Sequence, residues 1–259
     1  MKDKFLTFRI KRFNKNKTPS DWIETFQLEK KKGMNLLEAL LKIRDEQDGS
    51  LGFRYSCRGA VCGSCGMKIN GKPILACRTI LEKLGEDSFF IEPLPNFPLV
   101  YDLIVDMSIF FKHYCYIEPY FDNPKGTQPI SEYLMDEGKR KEIDPYIQCI
   151  HCGICYSRCP AFGRNKEFLG PAILAKAYRF YADPRNERFK KVLYKIDDLH
   201  GVWGCNTVYN CERVCPKGVL STHGILKLRK GILNDKLNRV KGFLKKFSTK
   251  SLWRTNQNV

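Results

Sequence analysis

Apolar and polar positions change their period three times along this chain. Residues 4–10 alternate in part and predict an edge strand, with residues 22–28 as its partner. The Asn- and Lys-rich stretch 14–20, with Pro19, is the turn between them. Residues 34–47 switch to helical spacing through Leu36, Leu37, Leu40, Leu41 and Ile43. Asn35 or Gly33 can start that helix, and Gly49 and Gly52 end it. Asn70-Gly71 separates the apolar runs 66–69 and 73–76, which is a strong hairpin signal. Residues 89–94 form the last strand of this half.

Pro93, Pro95 and Pro98 mark a boundary, beyond which the period is helical. One helix is predicted over 99–111, with Leu103, Ile104, Met107, Phe110 and Phe111 on one face. Others are predicted over 131–141, over 171–181 up to Asp183-Pro184, and over 222–234 with Ser221 or Thr222 as N-cap. The chain continues with Leu233, Leu237, Val240, Leu244 and Phe247 at alternating steps of four and three, among Lys236, Arg239, Lys241, Lys245, Lys246 and Lys250. This is a basic amphipathic helix. It either packs on its own domain or docks on a membrane partner or lipid headgroups. The expected class is α+β, with domains at 1–104, 105–235 and a basic tail at 236–259.

Length and charge narrow the options. A chain of 259 residues suits two modest domains. No run of about 18 apolar residues predicts a membrane span, and no export signal follows Met1. A reducing, cytosolic compartment is expected, where clustered cysteines signal metal more often than disulfides. The net charge of +17 calls for an acidic partner, anionic lipid or nucleic acid.

The twelve cysteines supply the chemistry. Cys57, Cys62 and Cys65 form C-x4-C-x2-C, with Cys77 downstream, the spacing of plant-type [2Fe–2S] ferredoxins. Gly59, Gly63 and Gly66 let the loop curl so that its N–H groups face the sulfurs, and with Arg58 they would raise the reduction potential. The first half thus resembles the β-grasp fold of those ferredoxins. Cys149, Cys152, Cys155 and Cys159-Pro160 form C-x2-C-x2-C-x3-C-P, the run of two-cluster bacterial ferredoxins, and the second half resembles that all-α unit. An altered partner follows at Cys205, Cys211 and Cys215-Pro216. Zinc is the alternative for C-x2-C pairs. In two-cluster ferredoxins the Cys before Pro serves the other cluster. Cys215 is therefore expected to join Cys149, Cys152 and Cys155 in a [4Fe–4S] site, and Cys159 to join Cys205 and Cys211.

Val208 stands midway between Cys205 and Cys211, where an intact motif has a cysteine. A missing thiolate favours a [3Fe–4S] cluster; a [4Fe–4S] cluster with an open iron is the other possibility. Cys115 lies outside both motifs and is expected to be a small buried hydrophobe. His113, His151, His200 and His223 lack paired metal spacing, and His151 is a tuning residue at most.

These motifs together resemble the iron–sulfur subunits of succinate dehydrogenase and fumarate reductase, over about residues 4–235 and including 56–65, 149–160, 168–171 and 211–218. The resemblance implies a relay between the FAD of a flavoprotein subunit, which interconverts succinate and fumarate, and a quinone. It also implies one or more membrane anchor subunits, in some cases a cytochrome b, and a peripheral place on the cytoplasmic face of the inner (plasma) membrane. No dicarboxylate site is expected on this chain. Pro160, Arg164, Asn206 and Arg229 are the implied quinone-pocket residues. Ubiquinone-linked members usually carry tryptophan at the position of Arg164 and histidine at that of Asn206, so the departures lean towards menaquinone. Arg164 reads equally well as a solvated charge.

Two rivals differ in class. A thiol-linked or other flavoprotein reductase uses similar subunits, because the chemistry resides on the partner. A zinc-stabilised nucleic-acid-binding protein fits the charge, but the basic residues are dispersed and no finger spacing occurs. Nucleic acid is therefore not an expected partner.

Overall fold

The computed structural model describes residues 4–121, 132–186 and 189–251. Strands β1 (Phe5–Phe13) and β2 (Asp21–Glu29) pair antiparallel, Phe5 opposite Glu29 and Phe13 opposite Asp21. Helix α1 (Leu36–Glu46) follows, and its Asn35 cap exchanges hydrogen bonds with Glu38 in a capping box. The hairpin β3 (Gly66–Ile69) and β4 (Lys72–Leu75) turns through Asn70 and Gly71, both at positive φ. Strand β5 (Ser88–Glu92) inserts parallel to β1, giving the order β2-β1-β5-β3-β4. Leu6, Phe8 and Ile10 of β1 and Phe89 and Ile91 of β5 meet Leu36, Leu40 and Ile43 of α1 in the core. These elements agree with the sequence expectation.

The predicted helix over 99–111 is wrong in its first half. Residues Leu99–Tyr101 and Ile104–Val105 are strands β6 and β7 of a second hairpin, and helix α2 spans Ser108–Tyr116. Asp102 forms the hairpin tip at φ 43° and is fully buried. Its carboxylate accepts from Phe13 N at 3.0 Å and Gly52 N at 2.8 Å, and lies 3.0 Å from Arg12 Nε. The tip is thereby clipped to the first sheet, and the expected boundary at 104/105 falls inside β7.

The helical half contains α3 (Glu137–Ile147), α4 (Ile154–Ser157), α5 (Pro160–Arg164), α6 (Pro171–Ala182), α7 (Phe189–Ile196), α8 (Asn210–Arg213) and α9 (Ser221–Ser251). Helix α3 starts six residues later than predicted, because Asp136 caps it by accepting from Gly138 N and Lys139 N; the predicted start at Ser131 lies outside the described residues. Helix α9 runs unbroken through residue 236, so the expected tail continues the core helix up to Ser251. Phe247 and the basic residues around it lie where side chains are outside the described set.

The two halves share one core. Phe97 packs on Tyr156 and Phe162. Asn96 Nδ2 donates to the carbonyl of Tyr156 at 2.9 Å and lies within hydrogen-bond reach of those of Ser157 and Cys159.

Candidate metal centres

The first loop hangs between α1 and β3. Cys65 directly precedes β3, and Cys77 sits in a 3₁₀ turn just after β4, so the Asn70-Gly71 hairpin brings the two together. Ala76 N donates to Cys65 O at 3.1 Å and ties the two segments. Cys57 Sγ accepts from Val61 N and Cys62 N, each at 3.2 Å, and from Gly59 N at 3.4 Å. Those N–H groups, that of Cys62 foremost, pull the Cys57 thiol down to about 6. Burial pushes the Cys65 thiol up to about 11. The site therefore has an exposed edge at Cys57 and Cys62 and a buried edge at Cys65.

The loop curls through Arg58, Ala60 and Gly63, which have positive φ. Gly59 and Gly66, expected to share that role, do not. The Arg58 guanidinium lies over the Tyr55 ring, 5.6 Å from its centroid.

Two pockets divide the second cysteine block. One is lined by Cys149, Cys152, Cys155 and Cys215 together with Gly153, Ala172 and Val219. The other is lined by Cys159, Cys205 and Cys211 with Val208, Pro160 and Asn206. Left-handed backbone at His151 and Gly153 shapes the first, and at Thr207 and Tyr209 the second. N–H groups again face sulfur: Val219 to Cys215 at 3.3 Å, Phe162 to Cys159 at 3.4 Å and Thr207 to Cys205 at 3.4 Å. Burial raises the Cys152 thiol to about 12 and that of half-buried Cys155 well above its ordinary value. Cys211 is pushed up to about 11 by burial, against the hydrogen bond of its sulfur with Thr222 Oγ1 at 3.2 Å.

This donor set suits iron–sulfur clusters. Buried thiols that resist ionisation need a cationic group to bind as thiolates, and backbone N–H groups aimed at sulfur stabilise that charge. Among the described residues, no three Cys, His, Asp or Glu side chains close on a single ion. Thiols lining the walls of a pocket instead match a polynuclear group with thiolates at its corners.

Pro160 and Asn206 line the pocket of Cys159, Cys205 and Cys211 (the third pocket, at the third candidate centre), whereas Arg164 is exposed at the end of α5 and lines no described pocket. Arg229 is half-buried on α9. Its guanidinium donates to Val202 O at 2.8 Å and 3.0 Å, Cys205 O at 2.7 Å and Thr207 Oγ1 at 3.3 Å. It braces the loop that carries Cys205. Cys115 is exposed, contrary to expectation, and lines neither cysteine pocket. His151 packs edge-on to Phe110 and Tyr114, and burial, followed by Lys176, lowers its pKa. The contact of Thr222 with Cys211 and the N–H groups that face sulfur in the second cysteine block escape sequence reasoning, since no spacing marks them.

Comparison with known proteins agrees with this geometry. Residues 7–112 match the model of a 2Fe-2S iron-sulfur cluster binding domain, and residues 146–219 that of a 4Fe-4S dicluster domain. The chain is 39% identical over 233 residues to the succinate dehydrogenase iron-sulfur subunit of Coxiella burnetii, covering 89% of this chain and 98% of that one. It is 36% identical over 225 residues to the fumarate reductase iron-sulfur subunit of Haemophilus influenzae, covering 83% and 88%. A mitochondrial succinate dehydrogenase [ubiquinone] iron-sulfur subunit from Candida glabrata is 35% identical over 232 residues, covering 88% and 92%. Among solved structures, a chain of the Mycobacterium smegmatis Sdh1 complex superimposes with a TM-score of 0.79 at 25% identity, covering 90% of this chain and 97% of that one.

Proposed function

The chain belongs to the family of succinate dehydrogenase and fumarate reductase iron–sulfur subunits, and from that premise we propose that it carries electrons between the FAD of a flavoprotein subunit and a membrane quinone. Cys57, Cys62, Cys65 and Cys77 would hold a [2Fe–2S] cluster. Cys149, Cys152, Cys155 and Cys215 would hold a [4Fe–4S] cluster, and Cys159, Cys205 and Cys211 a [3Fe–4S] cluster. Such clusters supply one-electron transfer with little rearrangement.

The chain's own residues do the rest. The exposed edge at Cys57 and Cys62 offers the flavoprotein a point of approach. The buried walls around Cys152 and Cys155 exclude water, which lowers the dielectric and strengthens the N–H contacts to sulfur. At the far end Val208 offers no ligand and is 42% exposed beside three cysteines. A site with one thiolate fewer, open at its rim, suits the quinone end of the chain, with Pro160 and Asn206 at that rim. Asn206, at that rim where ubiquinone-linked members usually carry histidine, favours menaquinone, whereas Arg164, exposed outside that pocket, reads as a solvated charge.

The observation that carries this reading is the crossed grouping of Cys215 with Cys149, Cys152 and Cys155, which leaves Cys159, Cys205, Cys211 and Val208 as a separate set. No described helix is long and apolar enough to cross a membrane. From the family alone we assign the chain a peripheral place on the cytoplasmic face, held by membrane anchor subunits.

Electron paramagnetic resonance tests the assignment. The air-oxidised protein should give a sharp [3Fe–4S] signal that vanishes with dithionite as a [2Fe–2S] signal appears. An iron-loaded but silent oxidised sample would overturn the three-iron assignment and favour a thiol-linked relative. Zinc without iron would overturn electron transfer itself.

A further inference from the structure

Helix α9 carries two apolar faces where a surface helix ordinarily carries one. Gly224, Ile225, Leu228 and Ile232 are buried and form the face that packs on the domain. At 3.6 residues per turn, Leu226, Leu233, Leu237, Val240 and Leu244 form a second stripe on the opposite side. The last four of these are each 50% to 60% exposed. Lys230 and Lys241 border the stripe on one flank and Lys236 on the other, the last also paired with Asp197 at 2.6 Å. Across Ser221–Ser251 the sequence carries nine Lys and Arg and a single Asp; Lys227, Lys236 and Arg239 pair with Glu142, Asp197 and Asp235, Arg229 holds backbone carbonyls, and Lys230 and Lys241 stand exposed beside the stripe.

An aliphatic stripe flanked by lysines is the pattern of a helix that lies in the plane of a membrane surface, with leucines among the acyl chains and ammonium groups at lipid phosphates. We propose that the exposed face of α9, from Leu226 to Leu244, binds an anionic phospholipid surface directly. Charge complementarity selects this occupant. A protein groove would satisfy the leucines but would not need so one-sided an excess of cations. The same helix lines the third pocket through Thr222 and Ile225. Lipid contact would therefore fix the angle of that pocket to the membrane. The inference rests on α9 alone and is independent of the cluster assignment.

The test is flotation of the purified, cluster-loaded full chain with phosphatidylcholine vesicles, with and without phosphatidylglycerol. Binding to the anionic vesicles alone, weakened by salt, is expected. The variant Leu237→Gln/Val240→Gln/Leu244→Gln should bind at least about tenfold more weakly while keeping its visible spectrum, since these side chains lie outside the core. Each of Lys230→Gln and Lys241→Gln should cost about fivefold. Lys15→Gln/Lys31→Gln/Lys32→Gln, on the first domain, should change nothing. Equal binding to pure phosphatidylcholine, or undiminished binding by the leucine variant, would overturn the proposal. So would failure to bind any vesicle; if the leucine variant then dissociates from the assembled membrane complex, the stripe is a polypeptide interface instead. In all these outcomes the resonance signals stay unchanged if the electron-transfer reading is right.

Discussion

Gly63 and Cys152 touch across the two halves of the molecule: a β-carbon on Gly63 would lie 2.8 Å from Cys152 Cβ and 2.8 Å from Ile150 O. Gly63 also sits at φ +74°, a conformation that costs other residues about 1–2 kcal/mol. The contact presses the loop of the first centre against that of the second, which keeps an electron's path between them short. Gly63→Val should therefore deplete iron from both centres and slow reduction of the second, read by iron analysis and rapid-freeze resonance. Gly59→Ala is the control, because its β-carbon meets nothing nearer than Cys57 O at 3.7 Å. Equal damage from the two would show that the loop tolerates no side chain, whatever Gly63 touches.

Val208 and Cys215 test the division of the second cysteine block. Val208→Cys supplies the absent corner ligand and should convert the third cluster towards [4Fe–4S], abolishing the oxidised resonance signal. Its potential should fall, because added thiolate charge favours the oxidised form. Cys215→Ser should damage the second centre and spare the third. Loss of the third signal instead would refute the crossed ligation.

Where signals are local, the sequence was readable. Asn70-Gly71 announced its hairpin and Asn35 its helix start, and the Cys-Pro spacing is what proposes the exchange of Cys215 and Cys159. The β6–β7 hairpin was misread as helix because Asp102 is satisfied by Arg12, Phe13 and Gly52, far away in the chain. No periodicity in 99–105 encodes those partners. Arg229 was expected near a quinone from the resemblance alone, and no spacing announced the Val202 and Cys205 carbonyls that its guanidinium holds. Cys115 was expected inside by residue type, yet the turn of α2 leaves it outside.

Arg12 and Asp102 make a stability prediction. Arg12 is 1% exposed, and burial pulls its pKa down. Hydrogen bonds with Asp102 and Asp48 overcome that and hold it above its ordinary value. Asp102→Ala removes one of three carboxylates around Arg12, leaving Glu24 and Asp48 each 2.5 Å from its Nη1, and leaves Phe13 N and Gly52 N without their acceptor. The cost should be about 2–6 kcal/mol, from two buried N–H groups left unsatisfied and a less fully neutralised Arg12, measured by denaturant unfolding. Arg12→Met/Asp102→Leu should recover part of it, because removing both charges removes the burial penalty too.

Asp48 adds a pH dependence to the same network. Ser50 foremost, then Arg12 acting against burial, lowers its pKa from 3.8 to about 2. A carboxylate depressed in the folded state contributes stability above its unfolded pKa and loses it as pH falls through the folded one. Stability should therefore drop between about pH 4 and pH 2 through this group. Asp48→Asn should be less stable at neutral pH and show a shallower acid slope in that window. An unchanged slope would remove Asp48 from the network.

Arg229 is argued to position the third centre through backbone carbonyls. One guanidinium satisfies Val202 O and Cys205 O together, a fork that a lysine ammonium cannot reproduce. Arg229→Lys keeps the charge and Arg229→Gln removes it, so the pair separates geometry from electrostatics. If positioning dominates, both variants should lose [3Fe–4S] signal intensity while [2Fe–2S] intensity stays intact. The quinone KM should change less than the occupancy of that cluster. If Arg229→Lys instead keeps full signal and activity, and Arg229→Gln raises the KM alone, the residue serves the quinone by its charge and the bracing of Cys205 is incidental.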